Sequence, residues 1–172
     1  MRRIAVLAAA VVLAGCGGGH TARVPPGAIA LVGDRPVPRA ALDVELRRSR
    51  RAYAAQGKAF PARGTAAFSH VQSLAVRLVV DHVTLAVQAA SRGVVITPAQ
   101  VDRRLRQLKR DAFGGSESRY RAALRRQGMT AAEARSSVRD LLLAEALRSA
   151  GGTAPEPPEI VYADGFAPAN SG

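Results

Sequence analysis

The stretch TAAFSHVQSLAVRLVVDHVTLAVQAASRGVVITPAQVDRRLRQL, residues 65–108, decides the fold. Phe68, Val71, Ala75, Leu78, His82, Leu85 and Ala89 recur at alternating spacings of three and four, the period of one face of an α-helix. Val76, Val79, Val80, Val83 and Val87 flank this seam, so the helix is apolar on nearly every side and is expected to be central and covered by its neighbours. Gly93 then stops it, and Val94-Val95-Ile96 forms a short extended link. Thr97-Pro98-Ala99-Gln100 opens the next helix. Thr97 accepts from the free N–H groups of the first turn, Pro98 suits a position that needs no N–H, and Gln100 completes a capping box. Val101, Leu105, Leu108 and Ala112 make its apolar stripe, and Arg103, Arg104, Arg106, Lys109 and Arg110 coat the rest, up to Gly114-Gly115.

The same signals extend in both directions. Ser116 opens a short helix through Tyr120, Ala123 and Leu124 to a stop at Gly128. Thr130 to Glu133 is a second capping box, and Val138, Leu141, Leu142 and Leu147 supply the buried side of the last helix. Upstream, Ala28 to Val37 predicts a short strand, a turn at Gly33-Asp34 and a second extended piece. Pro38 is expected in the first turn of a helix that runs to about Gln56, with Leu42, Leu46 and Tyr53 on one face and Gly57 as the stop. The tail from 151 to 172 is proline-rich and acidic. Glu159 to Ala163 reads as a short strand, with Ala28 to Val32 as its expected partner. The fold class is therefore mainly α: five helices behind a small N-terminal β element.

Composition narrows the chemistry. The 172 residues hold one Cys, three His and no Trp, with a formal net charge of +12. A lone cysteine and scattered histidines cannot build a multi-cysteine metal site, so no metal and no cofactor is expected. Few aromatic faces argue against a base-stacking module. His82 has no second His, Cys or evident acid at ligand spacing and is expected to be structural or edge-exposed. Its neighbour Asp81 points about 100° away on a helix, so the two do not converge. No nucleophile elbow or phosphate loop is visible, and an enzyme is a distant third choice.

Residues 1–15 are a secretory signal: Arg2 and Arg3, then an apolar run from Ile4 to Leu13, too short to span a bilayer as a helix. Leu13-Ala14-Gly15-Cys16 resembles the lipobox of bacterial lipoproteins, which are cut before the cysteine and carry a diacylglyceryl group on its thiol. The resemblance makes Cys16 the lipidation site, with ordinary signal cleavage nearby and a free thiol as the alternative. Residues 16–27 are then a glycine-led tether, and the protein is expected outside the cytoplasm, held to the cell membrane by its lipid.

Residues 28–150 resemble the N-terminal chaperone domain of the SurA and PrsA group of exported foldases. AIALVGDRPVPRAALDVELRR is similar to that family's opening strand, "vNG" turn and first helix. LVVDHVTLAVQAASRGVVITPAQVDRRLRQL is similar to its long helix and following capped helix, and YRAALRRQGMTAAEARSSVRDLLLAEAL to its last two helices. The resemblance implies a chaperone that binds unfolded exported chains. It implies no prolyl isomerase activity, because the few residues after Ala150 cannot form the parvulin domain that carries it in other members. The apolar stripes either pack wholly on one another or leave a groove for an extended client, for which Leu78, Leu85, Leu105, Leu108, Tyr120 and Leu141 are the candidate contacts.

Between Arg39 and Leu147 stand 20 basic and nine acidic residues. Inside a cell such charge suggests nucleic acid, a partner that an exported lipoprotein does not normally meet. The competing reading to the chaperone is a cationic envelope adaptor that holds an anionic polymer, a membrane surface or a protein partner.

Overall fold

The computed structural model describes residues 23–150 and 157–168. The signal segment, Cys16, most of the tether with His20, and the tail residues 151–156 and 169–172 lie outside them. Strands β1 (Ala28–Val32) and β2 (Arg35–Pro38) form an antiparallel hairpin closed by Gly33 and Asp34. Gly33 stands at φ 60°, which glycine adopts without the Cβ clash other residues suffer. Five helices follow: α1 (Arg39–Ala55), α2 (Ala66–Ser91), α3 (Pro98–Phe113), α4 (Glu117–Arg126) and α5 (Ala131–Ser149). The final strand, β3 (Ile160–Tyr162), returns to the start of the chain and pairs antiparallel with β1, giving the sheet order β2-β1-β3.

The helix starts follow the capping chemistry of the sequence. Thr65 accepts from the Phe68 N–H, and Ser116 from that of Arg119. Thr97 with Gln100 and Thr130 with Glu133 form complete capping boxes. One start differs from the expectation. Pro38 is not in the first turn of α1 but precedes it, extended at ψ 141°, because it still belongs to β2, where it faces Ala28.

Three apolar clusters hold the elements together. In the first, Ile29, Ala30, Val32, Val37 and Leu42 bury against Ala75, Val76, Val79 and Val80 of α2, with Tyr162 and Phe166 packed at its margin. The second joins Ala89, Ile96 and Val101 to Val138 and Leu143 of α5, and the third joins Tyr120, Leu124 and Ala134. α2 thus contributes to the first two clusters, through Ala75, Val76, Val79 and Val80 with Val83 and Val87 to one and through Leu85 and Ala89 to the other. Contrary to the expectation of a fully covered helix, part of it is bare: Leu74 and Leu78 are 43% and 54% exposed.

The end of α4 is fastened to α1 at Gly128. The Arg51 side chain donates from Nε to the Gly128 carbonyl at 2.9 Å and from a terminal nitrogen to Glu133 at 2.6 Å. Gly128 stands at φ 62°, and a Cβ there would lie 2.8 Å from the Arg51 carbonyl carbon, 2.9 Å from the Ala52 Cα and still closer to the Ala52 nitrogen. All of these are backbone atoms of a helix, which cannot swing aside. Gly57 has the same backbone conformation but open space around it. Gly128→Ala is therefore expected to lower stability in denaturant unfolding by about 1–3 kcal/mol more than Gly57→Ala, the usual range for overpacking. Equal unfolding midpoints would refute this close approach.

Candidate functional site

Part of α2 is bare because α5 packs on it only from His82 onward. At 1.5 Å per residue α2 runs about 39 Å, while α1 and α5 run about 26 and 29 Å. α5 lies parallel to α2: His82 bonds Asp140, and ten residues on, Arg92 donates to the Leu147 carbonyl. Leu85 and Ala89 consequently lie in the cluster with Val138, Leu142 and Leu143. Leu74 and Leu78 belong to the same face of α2 as Leu85, about three and two turns earlier, and stay uncovered. Val44 of α1, 39% exposed, stands across from Leu78.

The result is a groove of about 320 Å³ between α1, α2 and α5. Ala41, Val44, Leu78 and Val83 give it an apolar floor, and Glu45, Arg48, His82, Glu133 and Asp140 give it a polar rim. The rim is internally paired. Arg48 meets Glu45 at 3.4 Å, and His82 Nδ1 meets Asp140 Oδ2 at 2.8 Å. Glu133 is committed as well. Burial pulls its carboxyl upward, but the Thr130 backbone N–H and Arg51 hold it below the usual carboxylate range. Such a site offers apolar contact to an extended segment while most of its charges are already neutralised.

A second cleft, of about 270 Å³, lies between α3, α4 and α5. Leu105, Leu108, Phe113, Tyr120 and Met129 line it, and the Phe113 and Tyr120 rings meet edge to face at 5.6 Å. The Lys109 ammonium sits 4.5 Å from the Tyr120 ring centroid. These side chains also pack the third cluster.

The six candidate contacts are therefore not one surface. Leu105, Leu108 and buried Tyr120 share the second cleft. Leu78 lines the first groove. Leu85 packs under α5, and Leu141 is exposed on α5 outside both linings. Cys16 is outside the described residues. The sequence reading missed Val44, which stands off the Leu42–Leu46 stripe of its helix, and that displacement was the available signal. It also missed the partner of His82, since Asp140 is 58 residues away.

Among the described residues, no hydroxyl is hydrogen-bonded to the His82–Asp140 pair. Among the groove serines, Ser137 Oγ donates to the Glu133 carbonyl instead. The described residues hold no group of three or more His, Cys, Asp or Glu that could bind a metal. Compared with known proteins, the chain matches a family model, that of the SurA-like N-terminal domain, over residues 2–148. No curated protein and no solved structure gives a match.

The hydrogen bond from Asp140 raises the His82 pKa above its ordinary 6.5, helped by the Asp140 charge and that of Glu45 and opposed by burial and Arg139. A raised folded-state value means that this tie is fully present below the unfolded value and is lost as pH rises through the folded one. With the imidazole half exposed, the contribution stays below about 1 kcal/mol. Titration of the His82 ring by NMR should give a midpoint above 6.5 in the native protein and a lower one in Asp140→Asn. An unchanged midpoint would show that Asp140 does not set it.

Proposed function

Because the chain belongs to the SurA-like N-terminal domain family, we propose that it is an extracytoplasmic holdase, anchored by lipid on Cys16, that shields unfolded exported polypeptides in the α1–α2–α5 groove. Family membership supports a chaperone-like role and polypeptide substrates. The single observation that carries the finer reading is that Val44 and Leu78, both exposed, line one groove, with Leu74 bare one turn before Leu78. Large apolar side chains left bare together on a folded domain are a common mark of a binding site.

Extended apolar segments need little more than such a floor. A groove without many free charges imposes little sequence preference, which suits a protein that meets many clients. The neutralised rim also keeps binding weakly dependent on salt, since paired charges have little net field to be screened. Lipidation fits the sequence from Leu13 to Cys16, and two acyl chains anchor stably where one does so only marginally. The matched family describes a SurA-like N-terminal domain, so the proposed activity is holding rather than prolyl isomerisation.

Suppression of aggregation of a chemically unfolded client, at low and high salt and with a prolyl isomerase assay alongside, tests this reading. Suppression is expected to survive high salt with no isomerase activity. Val44→Asp with Leu78→Asp should abolish it while leaving thermal unfolding within a few degrees, since exposed substitutions usually cost no more than about 0.5 kcal/mol. Full suppression by the double variant would sink the groove assignment. A Cys16→Ser chain recovered from membranes as efficiently as the native one would sink the anchor.

A further inference from the structure

The positive charge is not spread evenly over the fold. Residues 98–126, covering α3 and α4, carry nine basic and three acidic residues. α1 carries five basic and two acidic residues, the same balance as α3, but its Arg48 and Arg51 are ion-paired and its Arg39 and Arg50 lie over the Phe166 and Phe60 rings. α2 has one of each, Arg77 and Asp81, and α5 has three of each. The segment around β3 is acidic, with Glu159 and Asp164. A compositional excess of arginine alone would not leave two of the longest helices neutral.

Within α3 the arginines are sorted further. Arg103, Arg106 and Arg110 fall at i, i+3 and i+7, within about 60° of one another around the helix and opposite the Val101–Leu105–Leu108 stripe. All three are exposed. Of the three acids in this segment, Asp102 is drawn to Arg135 of α5 and Glu117 is held by Lys109 at 2.7 Å and Arg121 at 3.0 Å, while exposed Asp111, about 80° or more around the helix from each of the three arginines, pairs with none of them. Among the described residues, Arg103, Arg106 and Arg110 make no ion pair, and neither do Arg119, Arg125 and Arg126 on the adjoining α4.

We propose that the solvent face of α3, Arg103–Arg106–Arg110, is a docking surface for the headgroups of an anionic bilayer. Guanidinium groups bond phosphate oxygens through a planar fork of donors. These three are strung along about 10 Å of one helix face rather than converging on a point. That spacing suits an array of headgroups better than a single bound phosphate. The acidic β3 segment, in contrast, would be repelled from such a surface, which gives the domain a preferred orientation. No residue of α3 lines the α1–α2–α5 groove, so docking through this face leaves the groove accessible. The inference does not depend on what the groove holds.

The test is cosedimentation of the full chain, in a Cys16→Ser background that removes any lipid, with vesicles of phosphatidylcholine alone or mixed with phosphatidylglycerol. Partition is expected to be stronger on the anionic vesicles and to fall as salt rises. The variant Arg103→Gln/Arg106→Gln/Arg110→Gln should lose about 100-fold of that partition, from about 1 kcal/mol per cation near the surface. A charge-matched control, Arg35→Gln/Arg77→Gln/Arg148→Gln, should stay within about threefold of the parent, because its charges lie off this face and act only through the screened overall field. Equal losses in the two variants would overturn the proposal in favour of net charge alone. So would a lack of preference for anionic vesicles, or a triple α3 variant that keeps its partition but no longer suppresses client aggregation. Suppression measured without vesicles reads the groove separately, so failure of one assignment is distinguishable from failure of the other.

Discussion

The rest of this structure depends on covering α2, a 26-residue helix that is apolar around most of its circumference. No single neighbour is long enough to do so. The sheet and α1 bury Val76, Val79 and Val80 on one side, and α5 with the start of α3 buries Ala89 at the far end. What remains between them is the Leu74–Leu78 face. The groove is therefore a consequence of where α5 docks: from the His82–Asp140 bond onward it packs on α2, whereas its first turns, with Glu133, Ser136 and Ser137, border the groove that holds Leu78.

Two small devices place the covering elements. One is β1, whose Ile29, Ala30, Leu31 and Val32 are all buried because it is paired along both edges. The return of the chain through β3 supplies the second edge: the Gly33 N–H donates to the Glu159 carbonyl at 2.8 Å and the Ala163 N–H to the Ile29 carbonyl at 2.9 Å. Both N–H groups are thereby satisfied. The other device is Arg51. It joins the backbone at Gly128 to the carboxylate that caps α5, so one side chain of α1 fixes the junction of α4 and α5. The same carboxylate borders the groove, which links the register of the helices to the shape of the site.

Apolar contact and charge are separated in space. Rim charges of the groove are mostly paired among themselves, whereas the solvent face of α3 presents Arg103, Arg106 and Arg110 together without an ion pair. A domain arranged this way can meet an apolar chain and a polyanionic surface without asking one face to do both. Screening by salt acts on the second interaction far more than on the first.

Helix identity, helix boundaries and the family were legible in the sequence because they rest on local chemistry. Thr97 with Gln100, Thr130 with Glu133, and the three- and four-residue spacing from Phe68 to Ala89 act over a few residues and need no partner from elsewhere. Even the final strand could be anticipated from its composition. Pro38 was misplaced by one residue, since its fixed φ suits both the end of a strand and the first turn of a helix. Which apolar residues remain bare was not legible. Leu78 and Leu85 lie on one stripe of one helix and look alike in sequence, yet one is open and the other covered, because α5 packs on α2 only from His82 onward. The partner of His82 and the close approach at Gly128 were hidden for the same reason. Each depends on elements 58 to 77 residues apart, and only packing in three dimensions brings them together.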